Sequence, residues 1–469
     1  MKKCISLLIL CILYQINFAQ VAKVVAVVDE RTELMSAVFR MAGAEEYVNN
    51  TLTEYTKELD LFLQNFKQDS LIQYAIQIRK SNGIAYDAIM SYAIHLEITD
   101  SIRFIKEYIP GKIDKRWDPE MEARFLVLLN HFYQNSNFHR FYESKLIYYN
   151  EVEKRFQNIL KDIDYEWFQY FFGVQSDGSF SVIISLLNRG NYGPNIVYPD
   201  GTKKVYSING VYRTDSLGFP IFGKGLEPVI IHEFTHSYTN HLVNKNIKLL
   251  LPKGKKFYKP VAPLMQQQAY GNPQTMLYEI LVRACVIQYY KDKDSNKVKL
   301  LINDELANGF LWIEELHDLL NKYENSRIQY PTLETFMPEI VALQNRLNPS
   351  KLKKEYLNKC GQFMGISIPN GSKDVPFDTV RVTITFAQPM NIGSYGISYG
   401  KKGKQYYPTI VRQFSWDPET KTKFTVTMVL EADKRYSMSF PGAFFITQEG
   451  FQVQGILNFD FKTKKVQNP

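Results

Sequence analysis

The chain has 469 residues, 45% hydrophobic and 22% charged, with a formal net charge of +8. That is enough apolar material for two or three cored domains and excludes a small fold stapled by cysteines. The basic excess is spread thinly, without a basic cluster interleaved with aromatics, so nucleic acid is excluded as a partner.

Met1-Lys2-Lys3, an apolar run through Leu13 and then Asn17-Phe18-Ala19-Gln20 have the three parts of a secretory signal peptide, with cleavage expected after Ala19. The run is too short for a membrane span, and no later segment reaches the length needed. Leu10 stands where a lipobox requires a small residue before Cys11, so the expected product is secreted or periplasmic and not a lipoprotein.

From Arg31 to about Asn158 helical periodicity dominates: Glu33 to Ala42, Leu52 to Phe66, Ser70 to Arg79, Ala85 to His95 and Pro119 to Phe132 each place apolar side chains three and four apart. The expectation is a mainly helical region over 20–165, in which His95, His131 and His139 are surface or core histidines and not ligands. Ser179 to Leu187 then reads as a buried strand with a Gly-rich exit through Gly193. It is the candidate edge strand to which an extended peptide would add, an ordinary core strand being the alternative. Val205 to Val211, with Asn209-Gly210, suggests a further hairpin.

The segment His232-Glu233-Phe234-Thr235-His236 spells H-E-x-x-H inside an apolar run, with Pro228 suited to the first turn of its helix. Two imidazoles four residues apart share one helical face and can hold one Zn²⁺, and the Glu between them is placed to act as general base on the attacking water. A catalytic zinc takes three protein ligands, so a third donor is required. Downstream the first carboxylate is Glu279, 43 residues after His236 (279 − 236), on a predicted helix with Asn272 as N-cap and Pro273 at N1. A surface Glu paired with Arg283 at i,i+4 is the competing account of Glu279. His241 is nine residues after His232 and would point away from the metal on a continuing helix. Metzincins place a His ten residues after the first, preceded by a Gly, and Leu242 and Thr239 occupy those positions. Arg283, one turn beyond, is the candidate partner that orients Glu279, a plain surface ion pair being the alternative. Tyr192, Tyr270 and Tyr278 are candidates to stabilise the oxyanion, with Tyr270 preferred.

Cys285 and Cys360 remain once the signal peptide is removed, either paired or as two buried thiols. Residues 346–361 read as a linker, with Lys351 to Glu355 a solvated helix end. Beyond it, Val380 to Phe386 alternates like a half-buried strand, followed by short strands at Phe424 to Leu430, Tyr436 to Phe440 and Leu457 to Phe461.

His232 to His236 followed by Glu279 resembles the gluzincin clan, which includes thermolysin-like and aminopeptidase families. The stretch from about Val24 to Tyr330 resembles a family of secreted bacterial proteins known only as a domain of unknown function. That likeness rests on Asp29-Glu30-Arg31-Thr32-Glu33-Leu34, Tyr86-Asp87-Ala88 and Tyr278 to Ala284. The last hundred or so residues, with Ser367, Pro369, Gly371, Val375 and Pro376 leading into a strand that ends at Pro389-Met390, resemble bacterial Ig-like domains. Together the resemblances imply an α+β chain: a signal peptide (1–19), a helical part (20–165), a zincin-like metallopeptidase core (166–345), the linker, and an all-β Ig-like sandwich over 362–469 for cell-surface or glycan docking. The expected activity is hydrolysis of a peptide or protein substrate with Zn²⁺ as cofactor. A non-enzyme with a structural zinc, or a hydrolase of another amide or ester, are the alternatives.

Overall fold

A computed structural model describes residues 24–48, 51–174, 180–198, 203–223 and 225–466; the expected signal peptide lies outside them. The chain forms two compact units, Met1–Tyr238 and Thr239–Pro469. In chain order the first contains β1 (Ala26–Val28), α1 (Glu30–Met41), α2 (Thr53–Phe62), α3 (Ser70–Asn82), α4 (Asp87–Ile94), β2 (Leu96–Ile98), β3 (Ile102–Phe104), α5 (Pro119–Ser136), α6 (Phe138–Ser144), α7 (Leu146–Leu160), α8 (Tyr165–Phe172), β4 (Phe180–Ser185), β5 (Asn191–Tyr192), β6 (Asn195–Val197) and β7 (Lys203–Gly210). Helix α9 (Leu226–Lys245) carries the chain across the division. The class is α+β, as expected.

Three of the predicted helices, α1, α3 and α5, start where a side chain caps them. Asp29 accepts from the Arg31 amide at 2.9 Å, and Asp69 and Asp118 do the same for α3 and α5, the latter with Pro119 in the first turn. The periodic run over 85–95 begins its helix only at Asp87, because Tyr86 has φ 54 and ψ −122, outside the helical region. Inside α1 the buried Glu33 accepts from the Leu186 amide and the Tyr55 hydroxyl, both at 2.8 Å, and so ties this helix to the end of β4. His95 is buried with Nδ1 at 2.7 Å from the Ser91 carbonyl, while His139 pairs with Glu30 at 3.0 Å.

The sheet runs β1-β4-β7-β5, with β6 also on β7; β1, β4 and β7 are parallel, and β5 and β6 run antiparallel along β7. Two sequence expectations change here. Strand β4 is hydrogen-bonded on both sides and almost wholly buried, which is why it reads as a continuous apolar run; it is a core strand and cannot accept an added peptide. The sheet ends at β1 on one side and, on the other, at the edge segment Asn191–Val197 made by β5 and β6. Asn209-Gly210 is no turn either, since both residues lie in β7. A Cβ on Gly210 would stand 2.6 Å from the Asn188 carbonyl oxygen and 2.7 Å from that of Gly190, so the glycine serves a close backbone approach.

The second unit contains α10 (Ile247–Tyr258), α11 (Ala262–Gln267), α12 (Pro273–Tyr290), α13 (Ser295–Ala307), α14 (Ile313–Glu324), α15 (Leu333–Arg346) and α16 (Pro349–Lys359). Strands β8 (Phe363–Ile366), β9 (Asp378–Phe386), β10 (Ser398–Tyr399), β11 (Thr409–Trp416), β12 (Lys423–Leu430), β13 (Arg435–Pro441) and β14 (Ile456–Lys462) follow. Helix α12 is buried along most of its length and packs against α10, α13 and α14. The expected linker is largely α16, which has no buried residue. The strands form two antiparallel sheets, β11-β12-β9-β8 and β10-β13-β14. Val382 and Ile384 of one and Met438 and Phe459 of the other belong to a single buried core. Cys285 and Cys360 are two buried free thiols. Among the described residues, no helix is long and apolar enough to cross a membrane.

Candidate metal centre

Helix α9 holds His232, Glu233 and His236 because its apolar stripe is fixed in an aromatic bed. Phe234 packs at 4.6 Å from Phe168 and 4.7 Å from Phe180, and Tyr238 stacks on Phe172 at 4.4 Å. With that side buried, the two imidazoles turn together to another face, and their Nε2 atoms are 3.2 Å apart. Two nitrogens bound tetrahedrally to one zinc at about 2.0–2.1 Å would be separated by about 3.3 Å, so the pair is spaced for a shared ion.

Glu233 lies against the sheet edge. A Cβ built on Gly193, between β5 and β6, would fall 3.0 Å from the Glu233 Cδ and closer still to Oε2. Only a glycine lets the edge strand approach the carboxylate this closely.

Glu279 projects from α12, whose start is as the sequence predicts: Asn272 Oδ1 accepts from the Thr275 amide at 3.0 Å, with Pro273 following. It is 7% exposed and so is not a surface residue, although the expected i,i+4 pair with Arg283 is present at 3.5 Å. The ligating atoms of His232, His236 and Glu279 all lie within 4.8 Å of one another. Two imidazoles and a carboxylate are the donor set of a three-ligand catalytic metal site, and in this respect the residues present fit the ion they imply. His241 is not part of the group.

Around Glu279, Arg283 is buried and donates to the Tyr270 hydroxyl at 2.8 Å, while standing 3.5 Å from Glu279 itself. Tyr270 in turn hydrogen-bonds Glu279, and burial together with the Glu279 charge raises its pKa. Tyr278, by contrast, bonds Asn244 and Gln274. Two residues of this environment escaped sequence reasoning. Glu305, on α13, accepts from Arg283 Nη1 at 2.6 and 2.7 Å, and nothing in its spacing from Glu279 signals that role. Gly193 belongs to the Gly-rich turn that the sequence marks, but its contact with Glu233 has no local signature.

The family model of a domain of unknown function, DUF4932, matches residues 9–343. The chain belongs to the DUF4932 family. The match takes in all three members of the metal-binding group and both halves of the surrounding network. It also takes in Asp29 to Leu34, whose Arg31 folds back on Asp29 at 2.6 Å and donates to the Ile94 and Leu96 carbonyls. Arg31 lines a cavity of about 610 Å³ with Tyr142, Lys204 and Tyr206, away from His232 and His236.

No curated protein sequence matches the chain. Among solved structures, CopC from Methylosinus trichosporium OB3b aligns over 23% of this chain and 98% of its own, at 16% identity and a TM-score of 0.19. Domains 1–6 of the surface layer protein SbsC align over 54% of this chain and 35% of that one, at 13% identity and a TM-score of 0.18. Likenesses this weak carry no argument about the fold or activity of a DUF4932 member.

Proposed function

We propose that the chain is an exported zinc-dependent hydrolase, a peptidase of gluzincin type. The observation that carries this is the convergence of His232, His236 and Glu279 within 4.8 Å, with Glu233 on the same helix and against the sheet edge. Zinc bound there would supply Lewis acidity toward a scissile carbonyl and make water more acidic. His232 and His236 act as neutral imidazoles and Glu279 as the anionic donor. Glu233 takes the proton of the attacking water and hands it to the leaving amine nitrogen. The β5–β6 edge offers main-chain donors and acceptors to an extended substrate, which the interior strand β4 cannot. From its sequence position Tyr270 is the expected donor to the oxyanion. Its hydroxyl accepts from Arg283 and gives its own proton to Glu279, so we assign it the positioning of that ligand instead.

The N-terminal sequence supports export, and the two C-terminal sheets support an Ig-like module for surface or glycan docking. Against a purely structural zinc stands the donor count. Among the described residues the group has three members, one fewer than a closed site uses, and a structural site has no use for Glu233 beside its ligand.

The test measures bound zinc and peptide-library cleavage for wild type, Glu233→Gln and Glu279→Ala. Glu233→Gln should keep the metal and lose roughly 10²- to 10⁴-fold in turnover, and Glu279→Ala should lose metal affinity. Full activity in Glu233→Gln would overturn the assignment of the base.

A further inference from the structure

Arg283 poses a problem for a cation site. It sits one turn beyond Glu279 on α12, with its side chain 16% exposed, and a buried guanidinium this close to a carboxylate competes with a metal for the same lone pairs. Geometry weakens the competition, because the Glu279 contact is an ion pair without a short hydrogen bond. Arg283 keeps 3.5 Å from Glu279 and spends Nη1 on both oxygens of Glu305, at 2.6 and 2.7 Å, and Nη2 on Tyr270 at 2.8 Å. Its face rests over the Phe310 ring at 4.7 Å, which fixes the plane of the fork. Glu305 is itself mostly buried on α13 and accepts from Asn308 at 3.4 Å. The short, charge-assisted bonds that neutralise Arg283 therefore come from Glu305, and Glu279 is the longer of its two ion pairs.

We propose that Glu305 is a positioning residue for the metal centre: it holds Arg283 back from Glu279, so that Arg283 orients the ligand through Tyr270 without capturing it. This rests on the metal-site reading given above. Loss of Glu305 frees Arg283 to close on Glu279, and zinc then has to displace a guanidinium.

The experiment is a zinc titration of the purified chain against a chromogenic chelator, with no substrate required. Glu305→Gln should weaken zinc binding by about 10- to 100-fold, the range for loss of an outer partner of a ligand. The same substitution made in an Arg283→Met background should change affinity by less than about threefold, because the competitor is already gone. A merely structural role for Glu305 would instead lower affinity equally in both backgrounds. If Glu305→Gln alone does not fold, the comparison of Arg283→Met with Arg283→Met/Glu305→Gln decides, and a tenfold loss there overturns the proposal. Unchanged affinity in a folded Glu305→Gln also overturns it while leaving the metal site standing; wild type without bound zinc overturns the metal site itself.

Discussion

Replacing Glu33 by Gln should flatten the dependence of stability on pH near neutrality. Glu33 is 1% exposed, and burial raises its pKa from 4.5 to about 7, although the Leu186 amide and Tyr55 hydroxyl pull in the opposite direction. Below pH 4.5 the folded and unfolded chains both hold the proton. Between 4.5 and about 7 the unfolded chain releases it and the folded chain keeps it, so the unfolded state binds fewer protons and stability falls as pH rises. Above that window the loss is complete. A shift of about 2.5 units (7 − 4.5), at about 1.36 kcal/mol per unit, makes it about 3 kcal/mol. Gln fits the same place: its oxygen keeps the Leu186 amide, and its amide can donate to the Tyr55 oxygen, whose proton turns to Tyr149 at 3.0 Å. Urea unfolding of both proteins, followed by circular dichroism from about pH 4.5 to 8, isolates the effect as a difference. The variant should gain on the wild type as pH rises, from little at the acid end to about 3 kcal/mol above pH 7. A difference that stays constant across the range would refute the reasoning.

Two further outcomes follow from backbone geometry. Gly193→Ala forces the Glu233 carboxylate to withdraw by on the order of 1 Å to reach ordinary contact distance. Peptide turnover should fall by roughly 10²-fold with bound zinc unchanged, and metal analysis alongside a cleavage assay separates this from loss of the site. Tyr86 is 56% exposed and holds φ 54, ψ −122, a conformation that costs about 1–3 kcal/mol for a residue with a Cβ. Tyr86→Gly should therefore raise the thermal midpoint despite the added entropy of an unfolded glycine, and a lowered midpoint would show that the ring's packing outweighs the strain.

What the sequence determined by itself is whatever one element decides alone. His232 and His236 share a face because a helix repeats every 3.6 residues, and the aromatic stripe of Phe234 and Tyr238 says which face is buried. Asn272-Pro273 sets the start of the helix bearing Glu279, and the alternation over Val380 to Phe386 is that of β9. Short strands with weaker patterning, such as β8 and β10, did not stand out.

Packing decided the rest, because residues far apart in the chain meet only when whole elements settle against one another. Whether Ser179 to Leu187 was an edge or a core strand depended on its two neighbours, β1 and β7, and not on its own apolar run. Gly193 looks like any turn glycine until β5 and β6 bring it against Glu233. Glu305 looks like any helix-surface acid until α13 lies beside α12 and Arg283 turns toward it. Local pattern records which way a side chain leaves its own helix or strand; only the assembled core determines what it meets there.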